Sequence, residues 1–483
     1  MKSLRLFIPL GLLLAAPAPP CARSQSPDGP WTGAISVMGQ ELKITVTYGT
    51  KGDSVSATID IPQQMAMGLQ LRNVSWRPPK THFELPAGPG LAIFDGTISG
   101  DSIKGDFSQA GIPGTFRLER GKDIRAAAPP APPEPPPYGE EEVTFSADSV
   151  TIAGTLTFPP SKGRHPAVVL ITGSGAHDRN AEVFGFRTFF VLADYLTRHG
   201  LAVLRCDDRG VGGSTGNKAN STSEEHARDM LAAVGFLRGR SDINPAQVGL
   251  VGHSEGGLIA PIAAAQSKNV AFIVLMAGPA VPGDRLILYQ LESLMREGKA
   301  GEEQIRKTVA QQKRVFDCVR SGTGWDQLAG EFRKEMADAY SSLPAATRKG
   351  IPDSAAFVNA RAEARIAGAR TPWFKYFVEF DPVPVLEQVS CPVLAVFGEL
   401  DRQIPVSLNR IPMESALKKS KSKEWKIEVV PKANHLFQSA VTGFPSEYAA
   451  LEKKYVPAFL DLVTKWITER VTVLSGASGG QGN

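Results

Sequence analysis

The sequence predicts an α/β domain, built on a mostly parallel central sheet with a helical cap and preceded by a small all-β domain. Three observations carry this expectation. From about residue 28 to 120, apolar and polar side chains alternate in short runs broken by glycine, the period-two pattern of half-buried strands. From about Glu142 onward, apolar β-branched runs alternate with segments of helical length, as in a parallel sheet covered by helices. Between the two lies GKDIRAAAPPAPPEPPPYGEEE, whose prolines favour polyproline II geometry and cannot bury a core.

The elements follow in order. MKSLRLFIPLGLLLAAPAPPCARSQS opens with Lys2 and Arg5, runs apolar from Leu6 to Ala16 and ends in small residues, the layout of a secretory signal. The apolar run is too short to span a bilayer, so no stable membrane insertion is expected. Ala22-Arg23-Ser24 fits a small-x-small cleavage rule, which sets the signal at 1–24 and predicts an exported mature chain, periplasmic or secreted. Cys21 would suit a lipid anchor, but Pro20 stands where a small residue is needed. Residues 25–120 form the expected all-β accessory domain, with Leu42, Ile44, Val46 and Tyr48 sharing one strand face. Residues 121–141 read as a semi-rigid linker.

The α/β domain is expected over 142–470. EVTFSA and VTIAGTLTF read as an antiparallel opening pair. PAVVLITG, LAVLRCD, QVGLVGH, VAFIVLMAG, PVLAVFGE and WKIEVVP read as strands buried on both faces. VFGFRTFFVLADYLTRHG, SEEHARDMLAAVGFLRGR and GGLIAPIAAAQS have the length and apolar spacing of crossover helices. Residues 283–380 carry amphipathic helical stretches and no strong strand signal, which predicts a helical cap insertion over the sheet end where ligands bind. Residues 471–483 read as a flexible tail.

Hydrophobic residues at 42% and charged residues at 21% are ordinary for a globular enzyme. Loss of 1–24 would remove Lys2, Arg5 and Arg23 and leave the chain near neutral. With no basic block and no zinc-type Cys/His spacing, nucleic-acid binding is excluded as a function class. Cys206, Cys318 and Cys391 are too few and scattered for a disulfide framework.

Gly252-His253-Ser254-Glu255-Gly256 matches G-x-S-x-G, where serine occupies a tight strand-to-helix turn. The pattern recurs around Ser214 and Ser478, but only Ser254 follows a buried strand and precedes a helix. A serine hydroxyl needs a base, usually histidine oriented by a carboxylate. Chains with such an elbow order the partners as serine, acid, histidine, and His435 is the one histidine after Ser254. It sits in KANHLF, beyond the strand WKIEVVP. The acid belongs between them at a strand end, where FGELDRQIP offers Glu399 and Asp401; Asp401, after the turn, is the choice. The backbone N–H groups of Glu255 and Ser174 are candidates for the oxyanion hole.

These motifs resemble the α/β-hydrolase superfamily over about 142–470, and within it bacterial carboxylesterases of the EstD type, also labelled serine aminopeptidase-like hydrolases. The resemblance rests on TGSGAHDRN (Thr172 to Asn180), LRCDDRGVGGSTG (Leu204 to Gly216), GHSEGG (Gly252 to Gly257), TPWFKYFVEFDP (Thr371 to Pro382), FGELDRQIP and NHLF. It implies an α/β-hydrolase fold with a helical cap, a small-molecule ester substrate and an acyl-enzyme route with neither metal nor organic cofactor. It does not separate esters from small amides. A catalytically silent polymer- or envelope-binding protein would require a broken triad. Asp178, Arg179, Asp207, Asp208 and Arg209 read as loop-ordering ion pairs, and Trp373, Phe374, Tyr376 and Phe377 as either cap core or pocket lining.

Overall fold

The computed structural model describes residues 26–37, 40–52, 54–61, 66–86, 91–109, 112–121, 136–341 and 354–478. The expected signal at 1–24, residues 122–135 of the proline-rich stretch and residues 479–483 lie outside the described residues.

The N-terminal region is an antiparallel all-β unit: β1 (Gly29–Val37), β2 (Gln40–Lys51), β3 (Ser54–Ile61), β4 (Ala66–Gln70), β5 (Arg72–Arg77), β6 (Lys80–Pro86), β7 (Leu91–Ser99), β8 (Ser102–Gln109) and β9 (Ile112–Arg120). Their order is β4-β3-β2-β1-β9-β8-β7-β6-β5. The run from Ala66 to Arg77 serves both ends of it. β4 pairs with β3, the Leu71 N–H continues that ladder to the Ala57 carbonyl at 3.0 Å, and β5 pairs with β6. Among the described residues the sheet thereby closes on itself through this one continuous run of chain. Alternation sends Trp31, Val46, Phe83 and Phe94 inward, all fully buried, and Phe83 stacks on Phe94 at 4.5 Å. This interior is filled with rings.

The second sheet comprises β10 (Gly139–Ala147), β11 (Val150–Phe158), β12 (His165–Ile171), β15 (Ala202–Cys206), β16 (Ile243–His253), β17 (Ile273–Met276), β18 (Val393–Gly398) and β19 (Trp425–Val430), in the order β10-β11-β15-β12-β16-β17-β18-β19. β10 and β11 are antiparallel, β11 meets β15 antiparallel, and every later pairing is parallel. β15, β17 and β18 are buried at every position, which explains their continuous apolar sequences. The α/β-hydrolase fold is thus the architecture of this region. β10 begins three residues before position 142, within the span read as linker.

Helices α1 (Thr188–Arg198), α2 (Ser223–Arg238) and α3 (Gly256–Gln266) connect successive strands. The helix expected from Val183 starts only at Thr188. Before it, β13 (Glu182–Val183) and β14 (Phe186–Arg187) form a small hairpin whose turn holds Phe184 and Gly185 at positive φ. Glycine disfavours the helix and supplies the turn. α2 opens with a full capping box, Thr222 receiving the Glu225 N–H while the Glu225 carboxylate receives the Thr222 N–H.

Between β17 and β18 run α4 (Gly283–Glu297), α5 (Glu302–Ser321), α6 (Trp325–Ser341), α7 (Ser354–Ala367), α8 (Pro372–Glu379) and α9 (Pro382–Gln388). Several of these share a small core of their own around Phe316, Phe332, Ile366 and Val378. α10 (Val406–Lys419) and α11 (Pro457–Ser478) complete the order. α11 continues eight residues past 470, because buried Val471 still packs on the main core. The expected tail is therefore helical as far as it is described.

Candidate active site

The nucleophile candidate stands where a parallel strand becomes a helix. Ser254 follows β16, precedes α3 and adopts φ 57°, a region that L-residues rarely enter. Its N–H bonds to the Met276 carbonyl at 2.9 Å and its carbonyl accepts the Gly257 N–H at 2.8 Å, so the turn is held from both sides. The glycines are needed for space. A Cβ on Gly252 would lie 2.0 Å from the Gly256 carbonyl oxygen, and one on Gly256 would lie 2.2 Å from that of Ile171.

His435 and Asp401 approach from loops after β19 and β18. His435 Nδ1 lies 2.8 Å from Asp401 Oδ2, and both residues are buried. The other carboxylate oxygen accepts the N–H groups of Gln403 at 2.7 Å and Ile404 at 2.8 Å. Asp401 is thereby fixed independently of the imidazole, which presents Nε2 for other work. Glu399 does not compete for this position: it is exposed, and its carboxylate receives the Lys432 N–H at 2.8 Å. Ser254 and His435 line one cavity of about 460 Å³, although among the described residues no hydrogen bond joins Ser254 Oγ to His435. Such contacts are often open before substrate arrives.

Ser174 and Glu255 both line this cavity, and among the described residues neither backbone N–H donates to a protein acceptor. A Cβ on Gly173 would come within 3.2 Å of Ser254 Cβ, so the loop runs directly against the nucleophile. Buried Lys218, which the sequence did not single out, braces this loop together with Asp208. Lys218 Nζ donates to Asp208 Oδ2 at 2.7 Å, to the Gly173 carbonyl at 3.1 Å and to Thr172 Oγ1 at 3.2 Å. Asp208 in turn receives the His177 N–H at 2.8 Å and the Thr172 hydroxyl at 2.6 Å. The Asp–Arg clusters also pair. Asp207 binds Arg179 through both oxygens, and Arg209 forms a bidentate bridge to Asp229, a partner 20 residues on. Burial works against the Asp207 charge, but the hydrogen bonds from Arg179 and the Gly213 N–H together outweigh it and hold its carboxyl below the usual range. Among the described residues the Asp178 carboxylate binds only its own loop, at the Asn180 N–H and side-chain amide.

The other serine matches differ. Ser214 is buried and structural, donating to the Asp207 carbonyl at 2.8 Å and accepting the Ala153 N–H at 2.9 Å. Ser478 ends α11 at the limit of the described residues. Of the cap aromatics, Trp373, Phe374 and Phe377 line the cavity, whereas Tyr376 faces Glu224 at 3.2 Å. A wider hollow of about 890 Å³ on the outer face of the N-terminal sheet, near Lys43, Lys104 and Arg117, contains no serine–histidine pair. Among the described residues no cluster of His, Cys, Asp or Glu could hold a metal ion, and no helix is long and apolar enough to cross a membrane.

His253, the residue before the nucleophile, donates Nε2–H to the His435 carbonyl at 2.8 Å and lies 4.6 Å from its ring. Burial, reinforced by the neighbouring His435, pushes its protonation down to about 3. An unfolded chain would protonate this imidazole near pH 6.5, so between those values the unfolded state holds the extra proton. Stability should therefore fall as pH drops through that window, by up to about 1.4 kcal/mol per pH unit for one such group. His177, also pushed down chiefly by burial, adds in the same direction. His253→Asn should flatten the fall in denaturant midpoint between pH 6.5 and 4. Parallel pH profiles for the two proteins would remove His253 as a source.

Comparison with known proteins gives three relevant results. Residues 168–451 match the alpha/beta hydrolase family. Esterase EstD of Thermotoga maritima is 25% identical over 338 residues, covering 70% of this chain and 69% of that protein. Among solved structures, Est1E from Butyrivibrio proteoclasticus, with ferulic acid bound, is 16% identical and spans 69% of this chain and 99% of its own, with a TM-score of 0.38. The family match covers more than half of the sequence and contains Ser254, Asp401 and His435; the chain belongs to the alpha/beta hydrolase family.

Proposed function

We propose that the chain hydrolyses small carboxylic esters through an acyl-enzyme intermediate, with Ser254 as nucleophile, His435 as base and Asp401 as its orienting acid. His435 Nε2 takes the Ser254 proton as Oγ attacks the ester carbonyl carbon. The Ser174 and Glu255 N–H groups receive the developing oxyanion. The imidazolium then protonates the departing alcohol, leaving the acyl group on Ser254. Water, deprotonated by His435, attacks that carbonyl, and the acid departs as the proton returns to Ser254 Oγ. Asp401 remains ionised throughout and steadies the imidazolium.

The observation that carries the reading is the buried Asp401–His435 hydrogen bond opening onto the same cavity as a serine at φ 57°. Similarity to an esterase over 70% of the chain supports the choice of ester chemistry. Pre-steady-state kinetics with a p-nitrophenyl ester test it. A burst of one nitrophenol per active site, with an acyl mass added to intact protein, is the expected result. A matched anilide should react far more slowly. Folded protein that turns over neither substrate would overturn the proposal, and faster anilide cleavage would reassign it to amides.

A further inference from the structure

Resting on the ester reading, we infer that Trp373 is the partition that limits how long a substrate arm the site accepts, and that the Glu255 side chain holds it in place. The site has two hollows, not one. Beyond the cavity of about 460 Å³ that contains Ser254 lies a second, of about 360 Å³, inside the cap. The same three side chains, Ile287, Trp373 and Phe374, line both. On the far side the wall continues through Val315 and Phe332 to Thr308, Gln311, Gln312 and Arg365, so the second hollow has an apolar flank with polar groups and one guanidinium beyond it. An alkyl or aryl arm suits the apolar flank that Ile287, Val315, Phe332, Trp373 and Phe374 provide.

Trp373 is held more firmly than packing alone requires. Its ring stacks on Phe377 at 5.4 Å and 18°, and its indole Nε1–H donates to Glu255 Oε1 at 2.8 Å. That oxygen also receives the Ser223 hydroxyl at 2.7 Å, and Glu255 is only 2% exposed. One turn further along α8, Tyr376 donates its hydroxyl to Glu224. α8 is therefore tied at Trp373 to the residue after the nucleophile and at Tyr376 to the first turn of α2. A buried carboxylate with fixed donors has little freedom to move, and the ring it holds acquires the same fixity. Glu255 thus has two separable parts: its N–H is the proposed oxyanion donor, and its side chain is a positioning group acting through Trp373.

The test is the ratio of kcat/KM for a decanoyl over a butanoyl p-nitrophenyl ester, repeated with a series in which the alcohol lengthens instead. Trp373→Ala joins the hollows and should raise the long-to-short ratio in one series by about tenfold or more. Trp373→Phe keeps a ring but removes the N–H, and should raise the ratio less, mainly through KM. Glu255→Ala should reproduce the Trp373→Phe shift, and the double variant should go no further. Glu255→Gln retains an oxygen for the indole and should keep the wild-type ratio, whatever it does to the rate. An unchanged ratio in both series for a Trp373→Ala protein that still takes up stoichiometric fluorophosphonate would overturn the partition. Equal ratios for Glu255→Ala and Glu255→Gln would overturn the role of the carboxylate. Failure of the ester reading has a different signature: the unaltered protein would turn over neither series.

Discussion

Ser254→Ala should abolish labelling by a fluorophosphonate and lower ester turnover by at least about 10⁴-fold, because the remaining donors stabilise an oxyanion that no longer forms a covalent bond to the protein. The fold should tolerate it, since the replacement leaves both backbone hydrogen bonds of the elbow in place. Ser214→Ala is the informative control, with the opposite profile. It should still label, but it strands the Ala153 N–H and the Asp207 carbonyl in a buried position, at about 1–3 kcal/mol of stability. Intact-mass spectra after labelling, read beside denaturation curves, separate the outcomes. Undiminished labelling of Ser254→Ala would move the nucleophile elsewhere.

The second large effect is expected at Asp401. In Asp401→Asn the amide oxygen can still accept the Gln403 and Ile404 N–H groups, leaving the NH₂ facing His435 Nδ1. That NH₂ is a donor, so Nδ1 must become the acceptor and the ring's proton shifts to Nε2. The base is then occupied at the atom that should receive the serine proton. A fall in kcat of about 10⁴-fold at neutral pH is the expected result, with far smaller change in melting temperature. His435→Ala should lose a similar factor, and adding it to Asp401→Asn should cost little more, since the groups act as a unit. Steady-state kinetics on the two single variants and the double variant provide the check. If Asp401→Asn retained near-normal kcat while Glu399→Gln collapsed, the acid would be Glu399, despite its contact with the Lys432 N–H.

What was legible in the sequence was local. The elbow could be read because glycine spacing, a buried strand and a following helix all lie within about 25 residues of Ser254. His435 could be read because chain order left no rival. The choice between Glu399 and Asp401 turned on a two-residue difference after β18, and the structure brings Asp401, not Glu399, against the imidazole. Lys218 was hidden in the polar stretch NKANSTS, because its partners Gly173 and Thr172 are more than 40 residues away. Asp229 was hidden in the same way, as an acid on an ordinary amphipathic helix. The Glu255–Trp373 contact joins positions 118 residues apart, and nothing in either local pattern announces the other. Helix limits failed where one residue decides them, as at Gly185, or where packing extends a weak pattern, as at Val471.

The closed N-terminal sheet has a consequence for calorimetry. Its ring-filled interior draws only on residues from Trp31 to Leu118, while the large core around the parallel sheet draws on residues from Val143 onward. Two cores that share no side chain have no built-in reason to melt at one temperature, and a chain with two transitions has no single free energy of unfolding. A tryptophan signal would mix them, since Trp31 and Trp76 report on the first core and Trp373, Trp425 and Trp466 on the second.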